Sequence, residues 1–175
     1  MPPQNDSWIY VNLNLKEGPD IVANGEGLPF TAGLFDWVIC IEVLEFIVHP
    51  EKLISEINRI LKPKGKLVLT SPFLYRIHGK PFDLQRFTDE KIKQLLSMHF
   101  EIKTLKSQGY FFTVIADFAK CAIAQIKLIA LRYAVGLFIL PFIPLFRFFD
   151  QTRWVHQSDF LTSFTTGYWL IAQKK

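Results

Sequence analysis

Apolar and polar positions follow several distinct rhythms along this chain. From Trp8 to Asn14 (WIYVNLN) bulky and polar residues alternate, the period of a half-buried strand. Asp20 to Ala23 is a second short extended piece, and Asn24-Gly25-Glu26-Gly27 is a loop with two glycines. Phe35 to Ile41 is nearly all apolar, as in a parallel strand covered on both faces. Pro50 suits the first turn of the next helix, where a missing N–H costs nothing. Leu53, Ile54, Ile57, Ile60 and Leu61 then recur at helical spacing. Pro63 and Gly65 end that helix, and Lys66 to Thr70 is predicted as the next strand. Ser71 to Arg86 is a long polar and aromatic loop. Thr88 caps a helix reaching about Met98, with Asp89 and Glu90 favourable in its first turn. Glu101 to Leu105 alternates as a strand, and Gly167 to Ala172 is a final apolar strand.

Between the last two strands the character changes. Thr113, Asp117, Lys120 and Lys127 fall on one polar stripe of a helix predicted over Phe111 to Tyr133. Tyr133 to Phe146 then runs 14 residues without a charge, interrupted by Gly136, Pro141 and Pro144. A membrane-spanning helix needs about 20 apolar residues, and the best uninterrupted run here is shorter. Two readings stand for residues 111–149. One is a peripheral or re-entrant membrane element, with Lys120, Lys127, Arg132 and Arg147 meeting anionic headgroups. The other is a helical cap that hides its apolar face in its own chain or in a homodimer.

Composition narrows the function classes. The 175 residues suit one domain with a real core; 50% are hydrophobic and 17 are Phe. The net charge of +4 is dispersed, with no basic tract and interleaved aromatics of the kind that binds nucleic acid. Cys40 and Cys121 both lie in apolar segments, and no Cys/His spacing suggests zinc, so no metal is assigned. That usage fits a reducing, cytoplasmic compartment, including the inner surface of its membrane. The first residues, MPPQNDSWIYVNLNL, lack the pattern of a signal peptide.

The strand–helix–strand unit from Leu28 to Ser71 carries the strongest signal. The combination of LPF, FD, EVLE and LKPKGKL resembles the class I S-adenosylmethionine-dependent methyltransferases, nearest to those acting on small molecules, lipids, quinones and cell-envelope sugars. The similarity runs from about Trp8 to Leu105. It implies an α/β fold with a Rossmann-like, doubly wound sheet and S-adenosylmethionine as cofactor. The family's first strand and GxGxG turn have no counterpart here, so the sheet is expected to be incomplete. One domain over residues 1–175 is expected, with a core of 8–106 and 165–173 and an apolar helical insertion, 110–150, before the last strand.

Carried over position by position, the resemblance places Asn14 where the family holds the ribose hydroxyls. Asn24, followed by Gly25 and Glu26, stands where an Asp often bonds the adenine amino group. Cys40, Ile41 and Glu42 line the adenosyl pocket, and Phe46 replaces a frequent His. Glu42 and Glu45 have an alternative reading as the capped start of a helix. The loop PFLYRIHGKPFDLQRFT resembles a subgroup with a proline, a His and a D-x-x-R-F/Y-T run after the fifth strand. His78, Asp83 and Arg86 are therefore the candidate catalytic residues, with His78 able to accept a proton near neutral pH. The alternative is an Asp83–Arg86 ion pair that stabilises the loop beside a solvated His78. The function implied is methyl transfer to a small, lipid-linked or cell-envelope acceptor. A non-catalytic methyltransferase-like fragment and a membrane-surface interaction protein are the alternatives.

Overall fold

The computed structural model describes residues 8–175. The chain forms two compact units. The first runs to Ser71 and also takes in His78–Leu105 and Leu170–Lys175; the second comprises Pro72–Ile77 and Lys106–Trp169.

In the first unit, strands β1 (Val11–Asn12) and β2 (Ile21–Val22) pair in parallel as a two-stranded sheet of their own. The alternation over Trp8 to Asn14 thus yields only two strand residues. Asn14 ends the strand because its side chain accepts from the Lys16 N–H (3.1 Å) and opens a 3-10 turn, Leu15–Glu17. Strand β3 (Phe35–Ile41) leads through a second 3-10 turn, Leu44–Phe46, to helix α1 (Pro50–Ile60). The helix forms as predicted: Pro50 occupies its first turn, and Leu53, Ile54, Ile57 and Ile60 are buried on one face. Strand β4 (Leu61–Pro72) starts earlier than Pro63 and Gly65 suggested. The chain leaves the helix directly into extended structure, and Lys64 (φ 60°) takes the left-handed turn there. Gly65 is required for close approach, since a Cβ would lie 2.9 Å from the Lys62 carbonyl oxygen.

β3 and β4 are parallel, with Val38 opposite Leu67, Cys40 opposite Leu69 and Ile41 opposite Thr70. Ile41, the last residue of β3, thus lies beside Thr70, and β4 runs on to Pro72. Helix α2 (Asp89–Leu96) is capped by the Thr88 hydroxyl, which accepts from the Lys91 N–H (3.2 Å), and buries Ile92, Leu95 and Leu96. Strand β5 (Phe100–Ser107) follows, and the last strand, β6 (Gly167–Lys174), enters between β4 and β5 to give the order β3-β4-β6-β5. β3 is therefore an edge of the four-stranded sheet, with Ile39 and Ile41 exposed. Lys174 donates to the carbonyls of Asn58 (2.5 Å) and Leu61 (2.8 Å), closing the carboxyl end of α1.

The LPF element is clamped to α1. The Arg59 guanidinium donates to the carbonyls of Phe30 (2.6 Å) and Leu28 (2.9 Å), and Glu56 accepts from the Leu28 N–H (2.8 Å) while pairing with Arg59 (2.8 Å). These bonds, the Arg59 bond foremost, hold the Glu56 carboxyl below its ordinary value.

The second unit is helical: α3 (Phe111–Ala124), α4 (Ile129–Ile139), a 3-10 turn (Leu140–Phe142), α5 (Ile143–Phe149), and the short α6 (Arg153–His156) and α7 (Asp159–Thr162). The single helix predicted to Tyr133 breaks at Gln125, so Lys127 leaves the polar stripe. The last turn tightens there, Gln125 and Ile126 donating to the carbonyls of Ala122 and Ile123. The chain then folds back so that Gly136 of α4 passes Ile123 of α3, where a Cβ would lie 3.8 Å from its side chain. Pro141 and Pro144 do not interrupt the path as expected. Each stands at the start of its short element, and Ile129–Phe149 is a 21-residue helical run long and apolar enough to cross a membrane. Its apolar side chains point outward, with Leu137 81% and Phe138 76% exposed. The buried Asp150 anchors α3 by accepting from the N–H groups of Tyr110 (2.8 Å), Phe112 (3.1 Å) and Thr113 (2.8 Å).

Two stability measurements follow. Glu56 is ionised more readily folded than unfolded, so its contribution is present at neutral pH and disappears as pH falls through and below the carboxylate range. Glu56→Gln is expected to lower the melting temperature at pH 7 and to flatten its decline between about pH 5 and about pH 3. Asp150→Ala strands three N–H groups and is expected to destabilise the helical unit by about 2 kcal/mol, with a smaller loss in Asp150→Asn.

Candidate functional site

The register of β3 on β4 brings together Glu42, the residue after β3, and Thr70 of β4. The Glu42 N–H donates to Thr70 Oγ1 (3.1 Å), and the Thr70 hydroxyl lies 3.1 Å from Glu42 Oε1, to which it donates. Glu42 adopts a left-handed backbone (φ 51°), uncommon for a residue with a side chain. The 3-10 turn that follows sends Leu44 and Glu45 inward. Neither Glu42 nor Glu45 caps α1, whose N-cap is His49, so the capped-helix reading is set aside.

The loop after β4 docks on this turn through backbone bonds. The Leu84 N–H donates to the Glu45 carbonyl (2.9 Å) and Gln85 Nε2 to the Ile47 carbonyl (2.6 Å). The Phe46 ring stands edge-on to His78 at 5.3 Å, and Gly79 lies against it so closely that a Cβ would overlap the ring. Phe46 thus supplies an apolar wall for the loop.

Asp83 organises the loop's polar groups. Its side chain is buried, pairs with Arg86 through both oxygens (2.9 Å for Nη2 to Oδ2), and accepts from the His78 N–H (2.9 Å). His78 Nδ1 lies 3.2 Å from Asp83 Oδ2. The Arg86 hydrogen bonds, foremost, hold the Asp83 carboxyl well below the usual carboxylate range. The predicted Asp83–Arg86 pair is present, and His78, partly buried, is bound into it rather than solvated.

Glu45 completes the cluster. It is 0% exposed, neither carboxylate oxygen has a hydrogen-bond partner, and His78 Nε2 stands 3.7 Å from its Oε1. Burial, with smaller contributions from Glu42 and Asp83 against the lowering effects of its own backbone N–H and of Arg86, pushes its pKa up to about 7. The ligand atoms of Glu42, Glu45 and His78 all lie within 4.8 Å of one another.

Of the residues chosen from sequence, the structure brings together Glu42, His78, Asp83 and Arg86. Cys40 and Ile41 lead into the cluster along β3. Cys40 is buried, and its thiol is pushed up to about 12 by burial and then by the Glu45 charge, which keeps it neutral. Ile41 is 56% exposed. Asn14 makes the local turn described above. Asn24 accepts from the Glu26 N–H (3.0 Å), Glu26 Oε1 accepts from the His49 N–H (3.1 Å), and Gly25 packs on Leu53. These bonds tie that loop to the start of α1. Sequence reasoning missed Glu45 and Thr70. Glu45 was visible in EVLE, but its burial depends on a loop far along the chain.

Comparison with known proteins agrees with this architecture. Residues 8–69 match the family described as methyltransferase domain. The uncharacterized protein MJ1123 of Methanocaldococcus jannaschii is 34% identical over 94 residues, covering 51% of this chain and 45% of that protein. Among solved structures, the [4+2]-cyclase SpnF superposes with a TM-score of 0.53 at 21% identity, over 89% of this chain and 56% of its own. A candidate sarcosine dimethylglycine methyltransferase from Galdieria sulphuraria gives a TM-score of 0.53 at 10% identity, over 93% of this chain and 68% of its own. At these identities the superpositions speak for fold alone. The chain has an α/β methyltransferase-like fold with a mixed sheet. Its likeness to the methyltransferase domain family lies in residues 8–69, about a third of the chain. The chain spans less than half the length of the curated relatives it matches.

Proposed function

We propose that this chain serves methyl transfer from S-adenosylmethionine to a small, lipid-linked or cell-envelope acceptor at the cytoplasmic face of a membrane. The observation that carries this reading is the convergence of Glu42, His78, Asp83 and Arg86 at the carboxyl ends of β3 and β4. In open α/β sheets that end is where ligands bind. The family's cofactor supplies an electrophilic methyl group on a sulfonium, so the protein's main task is to align the acceptor. Cys40, Ile41 and Glu42 suit its adenosine part: Ile41 offers an exposed apolar surface beside a carboxylate, and the neutral Cys40 adds no charge. Asp83 and Arg86 are positioning residues that fix the loop and the His78 ring, while His78 reaches toward the acceptor.

A second observation supports a lipid-linked acceptor. The outward apolar face of Ile129–Phe149 lies near Lys127, Arg132, Arg147 and Arg153 in the sequence, a pattern suited to a bilayer with anionic headgroups. One feature favours the non-catalytic alternative. β1 and β2 form a separate sheet, so among the described residues β3 is an edge of the four-stranded sheet.

Calorimetric titration of the full chain with S-adenosylhomocysteine decides between them. Binding with a Kd in the micromolar range, about −8 kcal/mol, is expected; no detectable heat would overturn the methyl-transfer reading. For the membrane, the full chain is expected to float with phosphatidylglycerol vesicles, and Leu137→Glu with Phe138→Glu to reduce flotation several-fold. Equal flotation of both proteins would contradict it.

A further inference from the structure

The buried Glu45 is the most demanding group in the first unit. A carboxylate without hydrogen-bond donors is costly to bury, and interiors resolve that cost by protonation, by pairing or by a metal. His78 Nε2 stands 3.7 Å from Glu45 Oε1, too far for a hydrogen bond. Two ligands each about 2.1 Å from one ion, meeting at about 120°, stand at about that separation. The other ring nitrogen, Nδ1, lies 3.2 Å from Asp83 Oδ2, where the carboxylate favours an N–H on Nδ1 and a lone pair on Nε2. A metal-bound His characteristically has such an outer carboxylate. Glu42 brings the third ligand atom, held by the Thr70 hydroxyl, and all three fall within 4.8 Å of one another. The charges agree. Three carboxylates, Glu42, Glu45 and Asp83, gather around Arg86 and His78, so the ionised cluster carries an excess of negative charge before a cation arrives.

We propose that Glu42, Glu45 and His78 bind a divalent first-row cation, with Asp83 orienting His78. One imidazole and two carboxylates suit Mn²⁺ or Zn²⁺ better than a hard ion such as Ca²⁺, which prefers oxygen ligands throughout. Three protein ligands leave coordination positions open. Resting on the acceptor reading above, those positions would take oxygen donors of the methyl acceptor, favouring acceptors with adjacent hydroxyl or carboxylate oxygens.

The test uses the full chain stripped with a chelator, titrated with MnCl₂ or ZnCl₂ alone by calorimetry. Bound Mn²⁺ is followed by loss of the free-ion signal in electron paramagnetic resonance. One equivalent per chain with micromolar or tighter affinity is expected. Glu45→Gln and His78→Ala should each weaken binding at least tenfold. Asp83→Asn, which keeps all three ligands, should weaken it about 10- to 100-fold. Circular dichroism of each metal-free variant establishes that it is folded. Glu45→Gln removes a buried charge at constant shape and is the variant expected to keep its fold best. No stoichiometric binding of either metal, or binding indifferent to Glu45→Gln and His78→Ala, overturns the proposal. A separate titration with S-adenosylhomocysteine keeps the two ideas apart. Cofactor binding without metal binding sinks only the cation site, and the reverse sinks only the methyl-transfer reading.

Discussion

The parallel pairing of β3 with β4 sets the position of everything chemical in the first unit. Because Ile41, the last residue of β3, lies opposite Thr70, Glu42 meets Thr70 as the chain leaves that strand. The turn after β3 then tips Glu45 inward while the loop after β4 folds back over it. An offset of one residue would reverse which side chains face inward. The clamp between Arg59, Glu56 and the LPF turn secures the other end of the same pair, since it fixes where β3 begins relative to α1. The site is thus held from both ends of one strand pair, by backbone register at one end and by a charged hydrogen-bond network at the other.

What could be read in advance follows from how local each signal is. α1 was legible because Leu53, Ile54, Ile57 and Ile60 repeat within a single helix, with Pro50 ahead of them. The Thr88 cap of α2 was legible for the same reason. The partnership of Asp83 with Arg86 was within reach, being three residues apart. The burial of Glu45 was not, because it arises only when Leu84 and Gln85 return to the Leu44–Phe46 turn. Nor was the break at Gln125, where no proline or glycine marks the sequence and the folding back of α4 onto α3 decides. Pro141 and Pro144 misled in the opposite direction: a proline at the start of a helical element continues the path as readily as it ends one.

The two units obey different rules. The first hides its aliphatic side chains and places charge at the strand ends, the ordinary arrangement of an α/β domain. The second exposes Leu137, Phe138, Phe142 and Phe148 while burying an acid, Asp150, at the start of α3. The buried Asp150 gives three backbone N–H groups at the start of α3 the acceptors that the helix itself cannot supply.

The left-handed backbone at Glu42 has a consequence of its own. For most residues that conformation costs roughly 1–2 kcal/mol, a cost glycine escapes. A glycine at this position would relax the chain and leave the strand pairing intact. The protein nevertheless holds a long acidic side chain there, tied to Thr70 and close to Glu45 and His78. The hydrogen bond from Thr70 holds that carboxylate at the end of β3 in spite of the conformational penalty, so backbone strain and an acidic side chain are fixed at one position.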